Sequence, residues 1–462
     1  MKFNNFLSKV FIYVSIIVLS IISLIFLIKN NFLISLILFL VVIFISLKEN
    51  IKKFPLILFI TSLIIRIIVI IVANFPQVYD FKILLDASKA FSISDYSFNQ
   101  WDHFSMWGYQ TGFVIYQGLI LKLIENEIIL KILNAIYSSS LVLIIYAVAK
   151  KISTERSARI VSLLYMIFPF SLVLNTVLAN HHLSTLLMYI GILFLIKDEK
   201  HIKDYVFAAI LISLGNIIRP EGIIVVCSLL LYEFFRLKKD LILDTVKKIS
   251  VFLIVYFLIG TTSSLIIQKS GINPVGLKNT NPLWKFVLGF NHDTCGYYSG
   301  DDVIYQKDKK MEMDIIKERI SKNPAQMGKL FACKIDHFWL LSDMSMESGA
   351  FNDKEISVLG INIKYNLIED IVLTVNKFIY IITFFMCIIS VIIKRGQIVK
   401  DKSFFFVILM IVTFFVYLLI EIQPRYSYFI HICIFILASY SFEYLLNVIC
   451  NIKNKITKNV NS

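Results

Sequence analysis

Apolar residues in this chain fall into long runs separated by short charged stretches, not into the isolated stripes of a soluble amphipathic helix. The runs cover 10–28, 32–47, 54–74, 128–148, 160–176, 183–196, 205–218, 221–235, 249–268, 371–393, 403–420 and 427–449. Most approach the roughly 17–25 residues that carry a helix across a bilayer's hydrocarbon core. The pattern predicts an all-α polytopic membrane protein with about twelve spans. Two longer, mixed segments, 75–127 and 269–370, interrupt it. The resulting division is 1–50 as a two-helix extension, 51–270 as a transmembrane core, 271–370 as a loop region and 371–462 as the closing helices and tail.

Composition strengthens this reading. Of 462 residues, 58% are hydrophobic and only 17% charged, against roughly 45–50% and about 25% in ordinary globular domains. A soluble multidomain enzyme, a disordered chain, a collagen and a secreted disulfide scaffold are all excluded. The net charge of +14 raises a nucleic-acid partner, until its distribution is followed. The short connecting segments that alternate from the N-terminus hold 24 Lys/Arg and 8 Asp/Glu, whereas 75–127 and 269–370 together hold 16 and 20. The basic excess lies on one side, as the positive-inside rule requires of cytoplasmic loops. Both termini are therefore expected in the cytoplasm, with 75–127 and 269–370 as large extracytoplasmic loops of a cell-membrane protein.

The same asymmetry resolves two ambiguous stretches. Keeping the basic segment 236–248 inside requires 205–235 to be two short spans broken at Arg219-Pro220-Glu221. By the same logic 160–196 is a hairpin whose tip, Asn175 to His182, faces outward. Lys2 and Lys9 before an apolar run, without a small-residue cleavage site, read as an uncleaved signal anchor. Cys227, Cys387, Cys433 and Cys450 fall in spans as small apolar residues; Cys295 and Cys333 share a loop and could pair, but nothing in their spacing demands it, and free thiols are the favoured expectation. No Walker loop, dinucleotide fingerprint, nucleophile elbow or zinc-type Cys/His spacing is present.

Polar groups at the edge of a membrane are costly, so their positions are informative. Arg66 lies mid-span and needs either a structural partner or a ligand. Asp80 follows the third span; His181 and His182 cap one hairpin, Arg219 and Glu221 another; Glu421, Gln423 and Arg425 lie where span 403–420 emerges. Helix ends are usually polar, so each residue alone is unremarkable, but these exits combine carboxylates with arginines where the inner loops offer mainly lysine. Arginines bind phosphate bidentately, and a carboxylate can deprotonate an attacking hydroxyl. Such a set suits glycosyl transfer from a lipid-phosphate sugar. Trp101, Trp107 and Tyr109 read as interfacial anchors or as a sugar platform. Asp293, Asp301 and Asp302 sit in an Asn/Asp/Gly cluster better suited to turns than to a cation. No metal site is assigned; no cofactor is certain, and a divalent metal stays open.

In order along the chain come an Arg-bearing span, Asp80-Phe-Lys-Ile-Leu-Leu-Asp-Ala87, Tyr109-Gln-Thr-Gly-Phe-Val-Ile-Tyr116, Arg219-Pro-Glu-Gly222 and Glu421-Ile-Gln-Pro-Arg-Tyr426. With these features residues 54–450 resemble the glycosyltransferase C superfamily, and within it bacterial family 39-like enzymes related to protein O-mannosyltransferases and lipid A aminoarabinose transferases. The resemblance implies a polyprenyl- or dolichyl-phosphate sugar donor, used outside the cytoplasm with inversion. It implies Asp80 as the acceptor-activating base. Arg219 and Arg425 are then expected on the donor phosphate, with Glu221, Glu421, Gln423 and His181 supporting them or touching the acceptor. Protein mannosyltransferases carry Asp-Glu where this chain has Asp80-Phe81, a departure that counts against a protein acceptor and leaves a glycolipid or cell-wall polymer open beside it.

Two rival classes share the gross architecture. A polysaccharide polymerase or lipid-linked sugar flippase also has many spans and large loops, but a flippase needs charge along its path and only Arg66 lies near mid-membrane. No internal repeat between the halves supports a secondary transporter. In a non-catalytic scaffold or sensor, the Asp/Arg/Glu set would be incidental.

Overall fold

The computed structural model describes residues 2–27, 33–47, 51–73, 76–306, 308–340, 355–358 and 361–460. Apart from one antiparallel hairpin pairing Glu355–Val358 with Ile361–Lys364, the regular structure described is helical. Five helices are long and apolar enough to cross a membrane: Phe54–Ala73, Ile128–Ile152, Lys239–Lys269, Glu369–Lys394 and Pro424–Val448. Shorter apolar helices cover Leu7–Val18, Ile37–Ser46, His181–Leu195 and Ser403–Leu419. The chain is a multi-pass membrane protein.

Several sequence spans are broken, and proline explains where. Phe168 is extended before Pro169, so 160–176 divides into Glu155–Met166 and Pro169–Leu174. Arg219 is extended (φ −152°, ψ 128°) before Pro220, which separates Ile202–Ile218 from Gly222–Arg236, as the charge asymmetry requires.

Burial sorts the helices. Ser403–Leu419 is buried on nearly every side, from Phe404 through Ile411, because it runs through the centre of the bundle. Ile242–Lys269 packs mainly against Ile202–Ile218, buries only Phe252, Tyr256 and Ile267, and leaves Ile254, Leu258 and Ile266 bare. An apolar face of that size belongs in lipid.

Arg66 is fully buried, and its guanidinium is solvated by hydroxyls. It donates to Ser138 Oγ at 2.8 Å, Ser62 Oγ at 2.6 Å and Ser171 Oγ at 3.2 Å. It ties Phe54–Ala73 to Ile128–Ile152 and Pro169–Leu174, and it does not line the cavity described below. Its place is structural.

The two loops dock on each other at one end of the bundle. Asn273 Nδ2 donates to Thr111 Oγ1 at 2.9 Å, and Thr280 N to Met106 O at 3.0 Å. The helix Lys309–Ile320 starts at Asp308, whose carboxylate accepts from two backbone N–H groups. Pro324–Trp339 starts at Asn323, which accepts from Gln326 N at 2.9 Å.

Candidate active site

A cavity of about 760 Å³ opens where both loops meet the ends of the helices. Asp80, His181, Arg219, Glu221, Glu421 and Arg425 all line it. Residues separated by hundreds of positions are thus brought to one wall. Gln423 lies behind that wall and donates to Glu421 Oε1 at 2.9 Å.

Asp80 occupies the first turn of Tyr79–Ser92, where the helix dipole favours a carboxylate. Its neighbour Tyr79 is held at φ +48°, a left-handed conformation that costs a bulky residue roughly 1–2 kcal/mol. Asp80 Oδ2 accepts from Arg425 Nη2 at 2.8 Å, and the Asp80 side chain remains 43% exposed. Arg425 is mostly buried, with its guanidinium 5.0 Å from the Phe81 ring centroid. Arg219 Nε donates to Glu221 Oε1 at 2.6 Å and Nη1 to Asn180 Oδ1 at 3.3 Å. Burial opposes the Arg219 charge most strongly, but Glu221 together with Tyr417 and Tyr426 more than offsets it and raises its pKa above the ordinary value.

Two further members of the wall carry no mark in the sequence. Lys285 pairs with Glu421 and lines the cavity; burial opposes its charge, but Glu421 together with Tyr426 and Tyr109 more than offsets that and raises the lysine's pKa well above its usual range. Tyr426 gives the cations a common surface: its ring centroid lies 4.7 Å from Arg219 Cζ, 5.8 Å from Arg425 Cζ and 5.6 Å from Lys285 Nζ. Lys285 sits in the six-residue helix Trp284–Gly289, where no spacing distinguishes it. Tyr426 lies inside one of the quoted motifs, but only the fold reveals three cations around it.

The segment carrying Glu421 and Arg425 is strapped down by the second loop. Glu421 N donates to Lys285 O at 2.8 Å, and Ile422 N to Gly296 O at 2.9 Å. Lys334, buried, donates to Gly289 O (3.0 Å), Leu418 O (2.8 Å) and Ile420 O (2.8 Å), satisfying carbonyls left over at the end of Ser403–Leu419. Next to it Cys333 is bonded to Cys295. The free-thiol expectation is therefore corrected: folding brings their Cα atoms to 5.5 Å, within disulfide range, although 38 positions separate them.

Asp302 is engaged by Arg319 at 2.6 Å and Asn291 at 2.8 Å, and Asn291 Oδ1 accepts from the Asp293 backbone at 2.9 Å. These are turn and ion-pair roles. The grouping of possible metal ligands found among the described residues is Cys295, Cys333 and His337, of which the two cysteines are consumed by the disulfide. His182 donates to or accepts from Tyr428 Oη at 2.7 Å and faces away from the cavity. Tyr109 lines it, whereas Trp107 packs against His103.

Part of the chain is similar to a known family. Residues 114–265 match the family described as dolichyl-phosphate-mannose-protein mannosyltransferase, a stretch that includes His181, Arg219 and Glu221. Over those residues the resemblance to the glycosyltransferase C superfamily is borne out. Among solved structures, the archaeal oligosaccharyltransferase AglB from Archaeoglobus fulgidus, in complex with an inhibitory peptide and a dolichol-phosphate, is similar at 14% identity and TM-score 0.47. The apo form of the Archaeoglobus fulgidus oligosaccharyltransferase is similar at 13% and 0.49. Each covers 88% of this chain, but only 52% and 53% of the other, so this chain spans about half the length of those proteins. No curated protein matches.

Proposed function

We propose that this cavity transfers a sugar from a polyprenyl-phosphate donor to a hydroxyl acceptor. The observation that carries the reading is the Asp80–Arg425 pair on a wall shared with Arg219. The donor phosphate docks on Arg219 and Arg425, whose planar guanidiniums match its oxygens. As the phosphate takes over Arg425, Asp80 is released from its ion pair and faces the acceptor. Asp80 removes the acceptor hydroxyl proton, the oxygen attacks the anomeric carbon from the side opposite the phosphate, and the bond from that carbon to the phosphate oxygen breaks. The sugar changes hands with inversion. Polyprenyl phosphate leaves with the bonding electrons, its charge held by the arginines.

Glu221, Glu421 and Gln423 keep the cations in place, and Lys285 adds a third positive group beside Tyr426. The site is proposed to face the extracytoplasmic side, with both termini in the cytoplasm. Two observations support that orientation: the one-sided basic excess of the connecting segments, and a disulfide in the loop that closes the cavity, a bond typical of oxidising compartments. With Phe81 beside Asp80, a glycolipid or cell-wall polymer is the proposed acceptor. The flippase alternative loses its one argument, since Arg66 is satisfied by serines away from the cavity. Purified protein given a polyprenyl-phosphate hexose and a membrane glycolipid extract should release polyprenyl phosphate and label the glycolipid. Donor translocation without release would favour the flippase.

A further inference from the structure

Two side chains on the cavity keep buried polar atoms without a partner among the described residues. His181 opens the helix His181–Leu195, is 1% exposed and lines the cavity, yet neither ring nitrogen has a hydrogen-bond partner among the described residues. Its neighbours in sequence differ: Asn180 is held by Arg219, and His182 by Tyr428. Glu221 Oε2, on the same wall, is likewise unpartnered although Oε1 holds Arg219. His431, buried among Phe168, Phe170 and Tyr380, also has two unpartnered nitrogens, but His181 and Glu221 Oε2 lie on the cavity, where a bound molecule can supply the partner.

The charges nearby restrict what that partner is. Arg219 and Arg425 both act electrostatically on His181, which disfavours a metal cation there. Glu221 Oε2 can only accept a hydrogen bond, so its missing partner is a donor and not a second anion. A neutral group carrying several hydroxyls, attached to an anion held by the arginines, meets both conditions: a hydroxyl donates to the carboxylate oxygen, and the imidazole supplies one donor and one acceptor.

We propose that His181, together with Glu221 Oε2, reads hydroxyls on the sugar of the phosphate-linked donor, which makes His181 a specificity-determining residue. This rests on the transferase reading and deepens it by placing the sugar. The sugar lies inward against His181, and the acceptor enters from the exposed side of Asp80.

The test compares binding of polyprenyl phosphate with binding of polyprenyl-phosphate mannose, glucose and galactose to the full chain in lipid nanodiscs. At least one hexose should tighten binding ~10-fold or more over the bare lipid phosphate, a step comparable with modest pocket selectivity. The ratio should fall to near one in His181→Phe, which keeps an aromatic ring without the nitrogens. It should recover in His181→Gln, which restores a donor and an acceptor. Should His181→Phe fail to reach the membrane, deoxy-hexose donors on the parent protein read the same contact: loss of one particular hydroxyl must remove the gain. An unchanged ratio in His181→Phe, no hexose gain in the parent, or equal loss for every deoxy position overturns the proposal. Binding of the lipid phosphate with an unchanged ratio removes only the role of His181; failure of the parent to bind any of these lipids removes the transferase reading as well.

Discussion

Asp80 and Arg425 are 345 positions apart in the chain and meet at 2.8 Å on the wall of one cavity. A carboxylate held by a guanidinium is a guarded base, and a phosphate is a natural competitor for its partner. The contact therefore does two things. It ties the first loop to the segment that follows Ser403–Leu419, and in the proposed mechanism it makes release of Asp80 depend on arrival of an anion.

Arg425 should matter most for the donor. Arg425→Ala is expected to weaken polyprenyl-phosphate binding by about 1.5–3 kcal/mol, the range for hydrogen bonds to charged groups. Arg425→Lys should recover only part of this, because an ammonium lacks the planar fork. Titration of the lipid phosphate against each variant checks both statements, and unchanged affinity in Arg425→Ala removes the residue from the phosphate site.

Lys285 and Glu421 should behave as a unit. Lys285→Met strands the buried Glu421 carboxylate, and breaking one side of a buried pair costs roughly 3–5 kcal/mol. The double variant Lys285→Met with Glu421→Gln should recover much of that loss, since it leaves no unpaired charge. Thermal unfolding of the three proteins in one detergent decides the matter. Additive losses would show that the two side chains are not coupled.

The Cys295–Cys333 bond closes a loop of 38 positions, for which the chain-entropy argument gives roughly 4 kcal/mol as an upper range. Serine substitution at either position should lower thermal stability. It should also lower sugar transfer, because Ile422 and Lys334 tie the segment bearing Arg425 to this loop. Thiol labelling of the denatured, unreduced protein should leave both cysteines unmodified. Labelling at either position would contradict the bond.

Gly112 lies where the helix Thr111–Leu123 crosses the end of Ile202–Ile218, and a Cβ there would meet Ile217 O at 2.2 Å. Backbone cannot yield as a flexible side chain can, so Gly112→Ala should displace the Arg219 turn and reduce both expression and transfer. Overpacking of this kind costs about 1–3 kcal/mol. Gly300→Ala, where a Cβ meets nothing within 4 Å, is the matched control and should resemble the parent.

Much of the site is legible in the amino-acid sequence. Hydropathy locates the helices because apolar burial in lipid constrains sequence strongly, and Arg219-Pro220 marks a break because proline excludes a helical residue before it. Counting charges leads only to the expectation that Asp80, Arg219 and Arg425 leave the bilayer on the same side; that they line one cavity comes from the fold. Lys285 and the Cys295–Cys333 bond are not legible. Both lie in 269–370, where contacts are set by how one loop packs on another and leave no periodic trace. The role of Tyr426 is hidden for a related reason: an aromatic residue at a helix exit has many ordinary explanations, and only the three cations around its ring distinguish this one.

The most direct test is the rate of polyprenyl phosphate release from a polyprenyl-phosphate hexose in the presence of acceptor lipid, measured for the parent and for Asp80→Asn. Asparagine keeps the size of the side chain and can still contact Arg425, but it cannot take a proton. The rate should fall ~10²–10⁴-fold, the usual contribution of a positioned general base, with the protein still inserted and still binding donor. Release by Asp80→Asn at the parental rate would contradict a transferase that uses this carboxylate.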